Sequence, residues 1–319
     1  MSRAILYNEN IKQILEILSR SPDGISGQLI SEELKISRSA VSKIVKHLEK
    51  LGYKFEVKKK YRLIEKPDIP FPWEVDGDNV IFFKELDSTQ EKAKELALKG
   101  KISAGTWVIA GRQLRGKGRM ERRWESPEGN FYGSVFLKPD LPLNETVKIS
   151  LLGGLAVLRT VKTYRISESV KIKWPNDIFV VSEKKTKKLA GVLAESFGEA
   201  EKIDFTICGV GVNIKNSPLD IAICLKELVG EKPNLLVDFT KKFINIFNQT
   251  YEEFLKGKWF ELKTEMELNM WRGKVKVIQG EKQFVGVCVG INHDGSMVLQ
   301  KQEGGFENIF YGDTMIVFE

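Results

Sequence analysis

The stretch Gly111–Trp124 reads GRQLRGKGRMERRW and holds six basic residues: Arg112, Arg115, Lys117, Arg119, Arg122 and Arg123. Gly116 and Gly118 bracket the central lysine, and the stretch follows a β-type run from Thr106 to Ala110 with no amphipathic helix pattern after it. A glycine-loosened loop with this charge and one aromatic anchor, Trp124, suits a polyanion. A Walker-type phosphate loop is ruled out. Gly111, Gly116 and Lys117 have its spacing, but Gly118 stands where Ser or Thr would meet Mg²⁺, and no helix N-terminus follows to face phosphates.

A solvated basic surface loop would fit this composition equally well; two later segments weigh against it. These are Lys173-Trp-Pro-Asn-Asp177 and Lys188-Leu-Ala-Gly191. With the basic loop they resemble the signature of biotin–protein ligases. The resemblance extends upstream to Asp87-Ser-Thr-Gln90 and downstream to Gly209-Val-Gly-Val-Asn213. Each motif is weak alone; five in the family's order, spread over nearly the whole chain, are specific. A DNA-binding pattern at the N-terminus matches the bifunctional ligase–repressor subgroup.

Composition sets bounds. The 319 residues suffice for two or three domains with their own cores. No apolar run is long enough to span a bilayer and no signal-peptide pattern opens the chain, so the cytoplasm is the expected compartment. The three cysteines, Cys208, Cys224 and Cys288, lie in apolar contexts at no metal-ligand or disulfide spacing. Only two histidines occur, His47 in a helix and His293 in a turn, which leaves a Ser-His-Asp hydrolase or a His-ligated metal poorly supported. The chemistry must run on carboxylates, lysine, arginine and borrowed ions.

The net charge of +7 is unevenly placed: residues 1–66 hold 14 Lys and Arg against 8 Asp and Glu. That excess points to nucleic acid at the N-terminus. Ile11, Ile14, Leu15 and Leu18 recur at helical spacing, Ser26 and Ser37 are N-cap candidates, and Gly52 closes a third helix that buries Val41, Ile44, Val45 and Leu48. The outer face of that helix presents Arg38, Ser39, Ser42, Lys43 and Lys46. An alternating run over 53–63 reads as a hairpin with Lys58, Lys59 and Lys60 at its tip. Three helices and a basic hairpin make a winged helix-turn-helix, with these residues as DNA contacts.

Lys66 to Pro72 reads as a stiff linker, which sets the expected division: residues 1–66 winged helix, 67–270 catalytic, 271–319 C-terminal. In the middle portion, strands alternate with helices over about 89–100, 145–165, 234–258 and 260–270; Ser88-Thr-Gln-Glu91 has capping-box spacing. From Gly273 onward the pattern is wholly β, ending with a run from Met315 to Phe318. Gly209-x-Gly211 lacks the third glycine and following helix of a dinucleotide site and reads instead as a close ligand approach. With the resemblance, the expected fold is α+β: a winged helix, then, as the ligase family implies, a mixed-sheet α/β adenylation domain of the class II synthetase and biotin-ligase type and an SH3-like β-barrel.

The resemblance implies the reaction. Biotin and ATP, with Mg²⁺, give biotinyl-5′-AMP, and biotin then passes to a lysine of a biotin carboxyl carrier protein of acetyl-CoA carboxylase. It also implies a homodimer, formed when the adenylate is bound, that represses biotin genes at a two-fold operator. Residue by residue, Ser88, Thr89, Gln90, Gln113, Gly116 and Gly191 belong to the biotin pocket. Lys117, Arg119 and Arg122 grip phosphate, and Trp124 offers an apolar face to the adenylate. Lys188 sits between carboxylate and phosphate. Asn176, Asp177 and Asn213 manage ATP, with Asp177 a Mg²⁺ ligand or a partner of the incoming amine.

Trp174 and Trp124 have core anchoring as the alternative reading. Three departures from the family stand out: Lys117 for Arg, Gln90 for Asn, and Met120-Glu121 where Arg-Gly is usual. Glu121 must point away from phosphate or pair with Arg122 or Arg123. The loop is expected to order only on the adenylate. Two rival readings are a lipoate–protein ligase, whose dithiolane would want apolar walls, and a DNA-binding regulator without catalysis, which Lys188 and Asn176-Asp177 argue against.

Overall fold

The computed structural model describes residues 3–166, 169–182, 185–199, 201–279 and 281–317. Three side chains start the three N-terminal helices. Asn8 accepts from the Ile11 amide ahead of α1 (Glu9–Arg20), Ser26 from Leu29 ahead of α2 (Gly27–Leu34), and Ser37 from Ala40 ahead of α3 (Arg38–Lys50). Each cap is worth about 1 kcal/mol. The helices bury Ile14, Leu18, Ile30 and Val41 among themselves, and the hairpin β2 (Lys54–Val57) and β3 (Tyr61–Glu65) completes the winged helix.

One strand was not foreseen. β1 (Ile5–Leu6) pairs antiparallel with β4 (Val80–Leu86), with Ile5 opposite Phe82. The N-terminus therefore joins the catalytic sheet across the expected boundary at 66; a two-residue strand has no periodicity to read. The linker is also docked rather than free. Tyr53 Oη donates to Glu74 (2.7 Å) and accepts from Trp73 Nε1 (2.8 Å), while the Asp68 carboxylate accepts from the Leu236 and Val237 amides.

The remaining elements are α4 (Thr89–Leu98), β5 (Trp107–Gln113), β6 (Phe131–Leu137), α5 (Thr146–Lys162), β7 (Ser169–Lys173), β8 (Asp177–Val181), β9 (Thr186–Glu199), β10 (Lys202–Val212), α6 (Leu225–Val229), α7 (Leu235–Leu255) and α8 (Trp259–Asn269). The sheet runs β1-β4-β5-β6-β10-β9-β8-β7, and only β4 and β5 are parallel. α4 covers one face with Ala93 against Phe83, Val108 and Ile207. α5 and α7 cover the other, where Phe243 and Phe247 meet Trp107 edge-on. The three cysteines are free and buried, as expected; burial pushes the Cys208 thiol up to about 12.

The C-terminal strands β11 (Lys274–Gln279), β12 (Lys282–Ile291), β13 (Met297–Lys301), β14 (Phe306–Ile309) and β15 (Asp313–Ile316) form an antiparallel, barrel-like sheet in the order β14-β13-β12-β11-β15. Phe318, expected in the last strand, lies outside the described residues. The Lys173-Trp-Pro segment holds this domain in place. Lys173 Nζ donates to Thr314 O (2.7 Å), Trp174 Nε1 to Gly295 O (2.9 Å), and Thr314 Oγ1 to Trp174 O (2.5 Å). Trp174 is thus a core anchor.

Candidate active site

Fully buried hydrogen-bonding groups at the start of α4 fix one part of the site. The Thr89 amide and hydroxyl both donate to Gln113 Oε1 (2.8 and 3.1 Å), and Gln113 Nε2 donates to Ser126 Oγ (2.9 Å). Thr89 Oγ1 lies 2.9 Å from Ser134 Oγ, which donates to Gln90 Oε1 (3.1 Å), and Gln90 Nε2 donates to Ile207 O (2.9 Å). Gln90 has room because residue 209 is glycine: a Cβ there would lie 2.5 Å from Gln90 Oε1. The expected capping box is not formed. Ser88 is the N-cap, but its Oγ is buried without a hydrogen-bond partner among the described residues, and Glu91 turns to Lys117 instead. A buried hydroxyl left over in a satisfied network is where a ligand's polar atom fits.

Next to this network β9 and β10 place Gly191 opposite Gly211. The two glycines make a flat floor, and the Trp124 ring lies on it: Cβ atoms would come 3.1 Å from Trp124 Cζ3 at 191 and 2.5 Å from Nε1 at 211. Trp124 is half-buried and lines the cavity, not a core. Lys188 Nζ stands 5.0 Å from the centre of the Trp124 ring and 2.8 Å from Asp177 Oδ1, while Lys173 Nζ lies 3.1 Å from Asp177 Oδ2. Burial works to raise the Asp177 carboxyl, but the two lysines outweigh it and hold it below its ordinary value. Gly209 and Gly211 are two residues apart on β10, so the polar network and the Trp124–Lys188 pair lie about 7 Å apart along the strand.

The basic loop folds over this cavity as a tight hairpin. Gly118 N donates to Arg122 O (2.7 Å), Arg122 N to Arg119 O (3.2 Å) and Trp124 N to Gly116 O (2.9 Å). The turn at 119–122 puts Met120 (φ 53°) and Glu121 (φ 58°) in the left-handed region. That geometry belongs to a type I′ turn, where Asn-Gly is favoured and side chains with a Cβ cost about 1 kcal/mol each or more. Glu121 points to solvent and pairs with neither Arg122 nor Arg123.

Five of the six loop cations face carboxylates: Arg112–Glu85, Arg115–Asp87, Lys117–Glu91, Arg122–Asp313 and Arg123–Glu125. Arg119 alone has no ion pair among the described residues; its Nη1 donates to Asn176 Oδ1 (3.3 Å). Burial lowers its pKa, against the pull of Asp177 and Asp313.

A cavity of about 130 Å³ joins these parts and is lined by Ser88, Thr89, Gln90, Gln113, Lys117, Arg119, Arg122, Trp124, Asn176, Asp177, Lys188 and Gly191. Two expected residues stand behind its wall. Gly116 gives room for Ser126 and the Trp124 carbonyl, and Asn213 Nδ2 donates to Lys188 O (3.2 Å). Sequence reasoning missed Ser134, Ser126 and Asp313. Ser134 did carry a signal, a lone small polar residue in a strand otherwise apolar and aromatic, FYGSVFL, whereas Asp313 arrives from another domain and had none.

The residues do not fit a protein-caged Mg²⁺. The one cavity carboxylate seen to be free of the loop, Asp177, has a lysine at each oxygen, and the described residues hold no cluster of three ligating side chains. Asp177 is paired with Lys188 and Lys173 in this structure. Mg²⁺ would arrive on the phosphates of ATP as part of the substrate.

On the winged helix, Arg38, Ser39, Lys43 and Lys46 are exposed on α3 and Ser42 is half-buried. Lys58, Lys59 and Lys60 lie at the hairpin tip, where Lys58 pairs with Glu56 (2.6 Å).

Comparison with known proteins agrees with this geometry. Residues 82–213 match the Biotin/lipoate A/B protein ligase family and residues 10–62 an HTH domain. The chain is 34% identical to the bifunctional ligase/repressor BirA of Bacillus subtilis over 92% of its own length and 94% of that protein's. It is 26% identical to the same protein of Escherichia coli over 86% and 88%. The biotin protein ligase of Aquifex aeolicus, solved in complex with biotin and ATP, superposes with a TM-score of 0.62 at 31% identity, covering 74% of this chain and 97% of that one. With a winged helix ahead of a ligase sheet and both matched along the same relatives, the chain belongs to the bifunctional biotin–protein ligase and repressor family.

Proposed function

We propose that the cavity over β9 and β10 carries out both halves of biotin transfer. A biotin carboxylate oxygen attacks the α-phosphorus of ATP, the bond to pyrophosphate breaks, and biotinyl-5′-AMP is formed. The amine of a carrier-protein lysine then attacks the acyl carbon, AMP leaves and the amine gives up a proton. Both reactants of the first step are anions, so fixed cations supply most of what catalysis needs. Arg119 meets the phosphate with no ion pair among the described residues to break first. Lys188, held by Asp177, bridges the carboxylate and the α-phosphate. Lys117 and Arg122 reach phosphate by leaving Glu91 and Asp313, and Trp124 covers the adenylate.

The observation that carries this reading is the contrast within one cavity. A neutral, buried hydrogen-bonding network with an unpartnered Ser88 hydroxyl adjoins Arg119 and Lys188. Such a site suits a molecule with a neutral polar head and an anionic end, as biotin has. A dithiolane would leave Ser88 and the Thr89–Gln113 network unused. Incubation with ATP and either biotin or lipoate, followed by mass measurement of the bound adenylate, tests this. Biotinyl-AMP is expected; lipoyl-AMP alone would overturn it.

The winged helix binds operator DNA of biotin genes through α3 and the 58–60 tip, which makes the chain a biotin-responsive repressor. The acceptor is a biotin carboxyl carrier protein. The proposed compartment is the cytoplasm; no helix among the described residues is long and apolar enough to cross a membrane. Adenylate binding holds the loop closed and pairs two chains, so that two winged helices meet two half-sites.

A further inference from the structure

The catalytic sheet has an edge that no part of the ligase reaction uses. Between β1, α3 and β4 lies a groove of about 610 Å³ whose charged lining is wholly basic: Arg3, Lys43 and Lys84, with His47 beside them. No acidic side chain lines it, and none of the three cations forms an ion pair among the described residues. That contrasts with the active-site loop, where five of six cations are paired.

The strand register sharpens the point. β1 pairs antiparallel to β4 with Ile5 opposite Phe82, and continuing that register sets Arg3 opposite Lys84. Like charges directly across a strand pair are destabilising unless an anion sits between them. Lys43 and His47 are four apart and so share one face of α3, and both are exposed. Lys43 also belongs to the DNA-facing set. The groove is thus continuous with the recognition face, and Leu6, Ile44 and Trp73 give it an apolar wall against which a sugar can rest.

We infer that this groove grips the sugar–phosphate backbone flanking the segment read by α3, so that Arg3 and the catalytic-domain residue Lys84 are DNA-binding residues. The inference rests on the reading that the winged helix binds DNA. It extends the interface onto the catalytic sheet itself. β4 leads directly into Ser88 and Thr89, so one strand carries both a DNA contact and the biotin pocket. An acidic protein surface is the competing occupant; two of the four basic groups lying on the recognition helix favours DNA.

The test is the salt dependence of binding to a labelled mixed-sequence DNA duplex, measured by fluorescence anisotropy with the full chain. Each phosphate contact contributes about 0.9 to the slope of log affinity against log salt. Lys84→Gln and Arg3→Gln should each lower the slope by about that much. Between about 50 and 200 mM salt, the wild type then loses roughly 3.5-fold more affinity than either variant. Lys258→Gln, a change at an exposed lysine far along the chain, should leave the slope alone, and Lys84→Gln should make biotinyl-AMP at the wild-type rate. An unchanged slope in both variants overturns the proposal. So does an unchanged slope with a raised KM for the carrier protein, which would assign the groove to an acidic protein surface. Absence of DNA binding by the wild type at every salt concentration would instead remove the winged-helix reading beneath it.

Discussion

Gly211→Ala adds one methyl group to the floor of the active site. Its Cβ would lie 2.5 Å from Trp124 Nε1, 2.7 Å from Cε2 and 3.1 Å from Cζ2, about 1 Å inside ordinary contact. The strand cannot yield, because β10 is hydrogen-bonded to β6 on one side and β9 on the other. Sideways escape over Gly191 is also blocked, since that floor already touches the ring. The indole must therefore lift, away from the Lys188 ammonium 5.0 Å from its centre. Losing a partly desolvated cation–π contact costs about 1 kcal/mol, roughly fivefold in rate. Misplacing a reacting group by about 1 Å costs up to roughly 100-fold. Biotin-dependent pyrophosphate exchange should thus fall by about 5- to 100-fold.

Stability should not fall with it. Gly211 is not in the left-handed region, and alanine in a strand interior is mildly favoured over glycine. Gly191→Ala, whose Cβ meets Trp124 and Lys188 at 3.1 to 3.3 Å, should show a smaller defect of the same kind. Gly153→Ala is the contrast: its Cβ would strike Val192 Cγ1 at 2.8 Å inside the core, so melting temperature should drop while exchange activity per folded molecule survives. Wild-type exchange by Gly211→Ala, or activity lost only in step with thermal stability, would refute the floor-and-ring reasoning.

Further outcomes follow from the same geometry. Asp177→Asn leaves Lys188 and Lys173 unheld and should slow adenylate formation as well as transfer to the carrier protein; slowing of transfer alone would show that Asp177 serves the incoming amine rather than the lysines. The same variant reports on pH. A carboxylate held below its ordinary value stabilises the fold above the unfolded pKa and loses that contribution as pH falls through the folded one. The gap in melting temperature between wild type and Asp177→Asn, from a loss of about 3 kcal/mol near neutrality, should therefore narrow in acid. Ser134→Ala breaks the contacts to Thr89 and Gln90 and should raise the KM for biotin several-fold with little change in kcat, read from steady-state exchange. Glu91→Gln releases Lys117 from a half-exposed pair worth at most about 1 kcal/mol, so binding of a non-hydrolysable ATP analogue should tighten up to about fivefold by calorimetry. Two left-handed residues at Met120 and Glu121 strain the closed loop, so proteolysis within 111–124 should fall sharply when biotin and ATP are added together.

Much of this molecule was legible in the chain. Local rules settle the second and third N-terminal helices, because Ser26 and Ser37 need only their own next turn to act as caps. Strand β5 followed from the apolar run Thr106 to Ala110, and the C-terminal strands from the wholly β pattern after Gly273. The chemical character of the loop followed from its arginines and lysines, since charge is a property of residue type. Partnership is not. Whether Lys117 and Arg122 stand free or paired depends on Glu91 and on Asp313, which lies 191 residues further on than Arg122. Only folding brought them together.

The same division holds for the rest. A capping-box spacing at Ser88 could not reveal that its hydroxyl would be left unpartnered, nor could two glycines in separate strands show that register would align them under Trp124. The two-residue strand Ile5–Leu6 was invisible for want of a repeat, yet it ties the DNA-binding end to the catalytic sheet, and its register, continued, sets Arg3 opposite Lys84. Sequence determined which groups were present and what each could do. Tertiary structure decided which of their charges and hydroxyls were already satisfied, because satisfaction is a matter of distance between residues far apart in the chain.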